Sequence, residues 1–133
     1  MSGVVVDTSV WVEFFRGRSV PALEDALAAG TVVLSPLVVA ELVSGALRPE
    51  ERAAVAELLT ELPLHETPLS HWLSVGALRR QLRGKGVSIS TPDAHVAQCA
   101  LDRGALLLSQ DEVFTLVARH SRLRFSAVAV TAR

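Results

Sequence analysis

The sequence predicts an α/β fold: a three-layer α/β/α sandwich around a central parallel sheet of four to five strands. Three observations predict it. Short continuous apolar runs, such as Val4-Val5-Val6, read as strands buried on both faces. Between these runs lie stretches with helical spacing of apolar residues and helix-type start and stop signals. Strands separated by helices need crossover connections, which a parallel sheet covered on both faces supplies.

The elements follow in order. After Val4-Val5-Val6, the pattern from Ser9 becomes helical through Val10, Trp11, Phe14 and Phe15, and Gly17 suits the stop. Ser19-Val20-Pro21 opens a second helix that closes at Gly30. Residues 31–34 read as the second strand. Ser35-Pro36 then caps and starts a helix through Ala46. Residues 49–62 form a further helix, and residues 64–66 a possible short strand. Residues 70–83 are helical and end at Gly84. Thr91-Pro92 starts the next helix, which runs to Arg103 and stops at Gly104. Residues 105–108 are a strand, 112–119 a short helix and 125–130 a last strand. No repeat or linker interrupts the series, so residues 1–133 read as one domain.

Composition bounds the function. The chain has 133 residues, half of them apolar and a fifth charged, with a net charge of −1. That is a globular composition without a global positive field, so nucleic acid would need a local basic patch. The single cysteine excludes an intrachain disulfide. No signal peptide or membrane-length apolar run is evident, which fits a cytoplasmic location. A mean hydropathy of +0.37 points to an apolar surface covered by a partner or a second copy.

Four acidic residues carry the chemistry. Asp7 ends the first strand, and Asp111 follows LLLSQ at the end of a late strand. In a sheet of this kind ligands bind beyond the carboxyl ends of the strands. Asp93 sits in the first turn of the helix opened by Thr91-Pro92. Glu41 lies within LVVAELV, whose apolar neighbours leave little room for a wet face. Each has a simpler reading. Asp7 could cap the following helix, although Thr8 and Ser9 offer capping oxygens. Asp93 could complement a helix dipole, and Asp111 a turn. Together the simpler readings weaken. Two carboxylates about 4 Å apart repel by roughly 4 kcal/mol at an effective dielectric near 20. No Lys or Arg stands beside each of them in sequence. A hard divalent cation would resolve the repulsion, and it would suit phosphodiester cleavage without a nucleophilic side chain.

The strand followed by Asp7-Thr8-Ser9, Glu41 in a helix after Ser35-Pro36, TPDAHVAQCA and LLLSQDEVF resemble the PIN-domain family in order and spacing. The closest likeness is to the VapC-type ribonuclease toxins of prokaryotic toxin–antitoxin pairs, over nearly the whole chain. The resemblance implies a PIN-like α/β/α fold and Mg²⁺- or Mn²⁺-dependent endoribonuclease activity on an RNA substrate. It also implies inhibition by a cognate antitoxin and, commonly, a homodimer. Carried over, Asp7, Glu41, Asp93 and Asp111 match the acidic quartet. Asp7 and Asp93 are the expected direct metal ligands. Glu41 and Asp111 would act through water or position the attacking one. Thr8 matches the hydroxyl that orients Asp7 or a metal-bound water, and Ser109 a supporting hydroxyl. Glu112 could substitute for Asp111.

RRQLRGKG is the densest positive stretch: Arg79, Arg80, Arg83 and Lys85. It reads as a solvated helix end or as a rim that contacts RNA phosphates, joined by Arg16 and Arg18. His95 lies two residues after Asp93 and reads as a surface or satisfied core histidine rather than a ligand. His65, His71 and His120 lack partners at metal-ligand spacing. Cys99 reads as a buried small side chain, and Trp11, Phe14 and Phe15 as core. Trp72 fits the core, a dimer contact or an antitoxin contact.

Three alternatives stand beside the toxin reading. One is a PIN-type RNA-processing nuclease that is no toxin. Another is a phosphatase with Asp7 as nucleophile, similar to haloacid-dehalogenase-like enzymes; these usually carry a second Asp where this chain has Ser9. The last is a non-catalytic binding module on the same fold.

Overall fold

The computed structural model describes residues 3–45 and 47–132. Its described residues contain four strands and seven helices. In chain order these are β1 (Val4–Val6), α1 (Thr8–Phe15), α2 (Pro21–Ala29), β2 (Val32–Val33), α3 (Pro36–Ser44), α4 (Pro49–Thr60), α5 (Leu69–Gly84), α6 (Thr91–Arg103), β3 (Leu106–Ser109), α7 (Val113–Arg119) and β4 (Arg124–Ala127). The sheet order is β2-β1-β3-β4 and every pairing is parallel. Val4 stands opposite Val32 on one side and Leu106 on the other, and Ser109 stands opposite Ala127.

Successive strand side chains point to opposite faces. Val5 and Val6 are both buried, as are Leu107 and Leu108. Both faces of the central strands are therefore covered, which makes the fold a three-layer sandwich. Its core includes Trp11, Leu23, Leu42, Leu82, Leu107 and Phe114. Phe14 and Phe15 are only partly buried and pack on Trp11, with ring centroids 6.1 and 5.6 Å away.

Local chemistry explains the boundaries. Ser35 caps α3 by accepting the Val38 N–H at 3.2 Å, and Pro36 occupies its first turn. Ser90 does the same for α6 with the Asp93 N–H at 3.1 Å. Gly30 and Gly104 close α2 and α6 in the left-handed conformation, with φ of 69° and 60°. A Cβ there is strained, so glycine is the fitting residue.

Three expectations need correction. Residues 64–66 form no strand. Leu64 makes only an isolated bridge to Leu34, because Ser35 turns the neighbouring chain into α3 and leaves nothing further to pair with. The sheet therefore has four strands. The last strand stops at Ala127, where its partner β3 stops at Ser109. The third helix ends at Ser44; the expected end at Ala46 lies outside the described residues. No helix among the described residues is long and apolar enough to cross a membrane.

Candidate active site

Asp7 leaves the central strand with its backbone still in the sheet. Its N–H donates to the Leu108 carbonyl at 2.9 Å. Its backbone is extended (φ −70°, ψ 155°), and its carboxylate accepts the Thr8 N–H at 3.0 Å. Asp7 is thus the N-cap of α1, correcting the view that Thr8 and Ser9 would take that role. Both lie inside the helix. The Ser9 hydroxyl is buried with no partner among the described residues.

The other carboxylate oxygen of Asp7 accepts the Ser109 hydroxyl at 2.8 Å. Ser109 is itself buried, and its oxygen accepts the Asp111 N–H at 3.0 Å. One hydroxyl at the end of β3 therefore fixes both Asp7 and the turn that presents Asp111. Asp111 accepts the Val113 N–H at 3.0 Å and leans on the start of α7.

Thr8 has a different partner from the one expected. Its hydroxyl donates to Glu41 Oε1 at 2.8 Å, across 33 residues of sequence. Its hydroxyl orients Glu41, while its amide and the Ser109 hydroxyl hold Asp7. Glu41 is exposed, which corrects the expectation of a buried carboxylate. The apolar neighbours do not enclose it, because α3 buries Val38 and Leu42 and leaves Val43 60% exposed.

Asp7 and Asp93 sense the carboxylates around them. Burial pushes the Asp7 carboxyl above its usual range; the Ser109 hydroxyl and Thr8 amide oppose this, and the charges of Asp93 and Glu41 add to it. Burial also raises Asp93; the Ser90 hydroxyl opposes it, and the charges of Asp111 and Glu41 push it further up. The fold has therefore gathered all four. None of them forms an ion pair with Lys or Arg among the described residues. Hard oxygen donors, mutually repelling and without a built-in cation, suit a Mg²⁺-like ion.

The basic candidates are unequal. Arg79 is half-buried and its Nε donates to the Ile89 carbonyl at 3.0 Å, pinning the loop before α6. That structural task sets it apart from Arg80, Arg83 and Lys85, which are exposed around the end of α5. Arg16 is the exposed C-cap of α1. Arg18 pairs with Glu13 at 3.8 Å. Glu112 is exposed at the N-cap of α7, beside Asp111.

Sequence spacing misses one constellation altogether. His65, His71 and Cys99 place ligand-type atoms within 4.8 Å of one another. His95 and Asp102 join them through hydrogen bonds. Burial pushes the Cys99 thiol up to about 12, so it stays protonated as a small core group. The only sequence signal for this cluster is the placing of His95, Cys99 and Asp102 at helical intervals of four and three along α6.

A strand-end aspartate, a helix-borne glutamate and two further aspartates at one end of a parallel sheet define a candidate acidic metal centre. Residues 4–120 match the PIN domain, and the chain belongs to the PIN-domain family. It is 29% identical to Ribonuclease VapC11 of Mycobacterium tuberculosis over 129 residues, covering 91% of this chain and 96% of that protein. It is similar to the same degree and extent to VapC ribonuclease Mb1587 of Mycobacterium bovis. Among solved structures, it is similar to VapBC2 from Rickettsia felis bound to a DNA fragment from their promoter. There the TM-score is 0.75 and the identity 21%, covering 93% of this chain and 97% of that one.

Proposed function

We propose that the whole chain, residues 1–133, is one nuclease domain that hydrolyses RNA phosphodiester bonds with Mg²⁺ or Mn²⁺ and acts as a VapC-type toxin. The single observation that carries this reading is the gathering of Asp7, Glu41, Asp93 and Asp111 with no Lys or Arg ion pair to any of them among the described residues. The similarity to two ribonucleases supplies the substrate class. The likeness to VapBC2 supports an antitoxin partner.

Asp7 and Asp93, the two partly buried carboxylates, would hold the ion directly. A bound divalent ion supplies Lewis acidity and lowers the pKa of a water. The protein's own residues divide the remaining work. Ser109 and Thr8 N–H fix the two oxygens of Asp7 so that one lone pair of each stays free. The Thr8 hydroxyl occupies Glu41 Oε1, leaving Oε2 to take the proton of the attacking water. Asp111 Oδ1 is held by the Val113 amide, leaving Oδ2 to orient a second water. Arg80, Arg83, Lys85 and Arg16 offset the negative site by contacting RNA phosphates.

The test is cleavage of a single-stranded RNA by the purified protein after chelation. Activity should be absent with a chelator present and return when Mg²⁺ or Mn²⁺ is added in excess. Cleavage that is unchanged by chelation would overturn the reading.

A further inference from the structure

The nuclease reading leaves a buried polar network unused. It joins Ser35 at the head of α3, His71 on α5, and His95 and Asp102 on α6. His65 and Arg103 stand at its outer end. Ser35, His71 and His95 are almost completely buried.

The bonds assign the protons. Arg103 Nε–H donates to His65 Nδ1 at 2.9 Å, so His65 carries its proton on Nε2 and gives it to Asp102 Oδ2 at 3.3 Å. His71 Nδ1–H donates to the same oxygen at 2.8 Å. His71 Nε2 then accepts His95 Nδ1–H at 2.8 Å. That leaves His95 Nε2 to accept the Ser35 hydroxyl at 2.7 Å. This assignment keeps three buried rings neutral and gives every proton an acceptor. It also uses every ring lone pair, so no ring nitrogen is vacant for a transition metal, and the Cys99 sulfur beside them stays a protonated thiol. The network is a strut.

Its position gives the strut a task. Ser35 starts the helix that carries Glu41. His95 lies two residues after Asp93, so the two side chains leave α6 on opposite sides. Asp93 turns toward the carboxylates while His95 turns inward. Trp72 stacks on His95 with ring centroids 4.9 Å apart and planes 13° from parallel, so the ring is held on its face as well as at its edges. Ser35–His95 is a buried tie between the helices that deliver Glu41 and Asp93. Thr8–Glu41 and Ser109–Asp7 tie the other elements.

We propose that the Ser35–His95 hydrogen bond, braced through His71 by Asp102, is a positioning clamp that sets the spacing of Glu41 and Asp93 and so the divalent-metal affinity. This rests on the metal-site reading above. Residues behind a metal's own ligands commonly affect affinity by about 10–100-fold.

The test is calorimetric titration of Mn²⁺ into the full chain and into Ser35→Ala, His95→Val, the double variant and His95→Gln, with folding checked by circular dichroism. Ser35→Ala and His95→Val should each weaken Mn²⁺ binding about tenfold. The double variant should bind no more weakly than the weaker single, because the Ser35–His95 bond is lost in both; the Val38 cap lost with Ser35→Ala and the His71 bond lost with His95→Val bear on stability. His95→Gln, which keeps an acceptor for the Ser35 hydroxyl, should stay within about twofold. A folded Ser35→Ala protein that binds Mn²⁺ as tightly as wild type overturns the clamp, whatever its melting temperature and whether or not His95→Val folds. Multiplying losses in the double variant overturn it too. A folded wild-type protein that takes up no Mn²⁺ overturns the metal-site reading and the clamp with it.

Discussion

Asp7→Asn is expected to lower RNA cleavage by roughly 100-fold or more while leaving the metal-free protein as stable as wild type, or more so. The activity loss follows from the proposed role of Asp7 as a direct ligand. The stability result follows from its electrostatics. Burial and the charges of Asp93 and Glu41 hold the Asp7 carboxyl above its ordinary range. Its unfolded form gives up the proton more readily, so ionised Asp7 disfavours the folded state above the ordinary carboxyl pKa. Asparagine removes that charge and keeps an oxygen for the Thr8 amide; losing the acceptor of the Ser109 hydroxyl offsets part of the gain. Melting without divalent metal should therefore show a transition unchanged or raised by a few degrees. A marked fall in melting temperature would mean that the carboxylate is there for structure.

The second large effect is acid sensitivity. Burial pushes His95 down to about 4 from an ordinary 6.5, with the neighbouring His71 and His65 adding to it and Asp102 opposing. His65 is also lowered, by burial first and against the pull of Asp102. A histidine whose pKa falls on folding binds more protons when unfolded. Its contribution is therefore complete above pH 6.5 and lost as pH falls from 6.5 toward 4. For the fully buried His95 this amounts to about 3 kcal/mol, or about 10 °C of melting temperature. Asp102 acts in a lower window. Burial alone would raise it, but His71, Gln98 and His65 together hold it below 3.8, so its share is lost only under stronger acid. Asp7 and Asp93 oppose the histidines, since protonation relieves their repulsion. The contrast that isolates the strut is the melting temperature of wild type and His95→Gln between pH 7 and pH 4.5, both without metal. Wild type should fall more steeply. Parallel curves would show that His95 does not govern the acid limb.

These expectations arise at different depths of the sequence. The strand at Val4-Val5-Val6, the helix starts at Ser35-Pro36 and Thr91-Pro92, and the glycine stops at Gly30 and Gly104 are local signals, and the structure places elements there within a residue or two. Asp7 and Asp111 are legible as strand-end carboxylates for the same reason. Glu41 is misjudged from sequence because apolar neighbours along the chain say nothing about which side of a helix is covered; Glu41 and Ser44, three apart, share an open side while Val38 and Leu42 are buried. The partner of Thr8 is hidden too. Its bond to Glu41 spans 33 residues and depends on how α1 meets α3.

The histidine network is the extreme case. Its bonds join residues 24, 31, 37 and 60 positions apart, so no spacing rule reaches it. From sequence His95 reads only as a surface or satisfied core histidine, and the helical intervals of His95, Cys99 and Asp102 do not name its partners. The partners are a helix cap and a second histidine. Networks of this kind become visible only when tertiary packing has fixed ring orientations, which then dictate the tautomers.

The central claim is that Asp7 and Asp93 hold a divalent cation. Calorimetric titration of Mn²⁺ into wild type, Asp7→Asn and Asp93→Asn tests it most directly. Saturable binding in wild type, weakened by roughly 100-fold or lost in both variants, is the predicted result. Equal Mn²⁺ binding by all three folded proteins would contradict it.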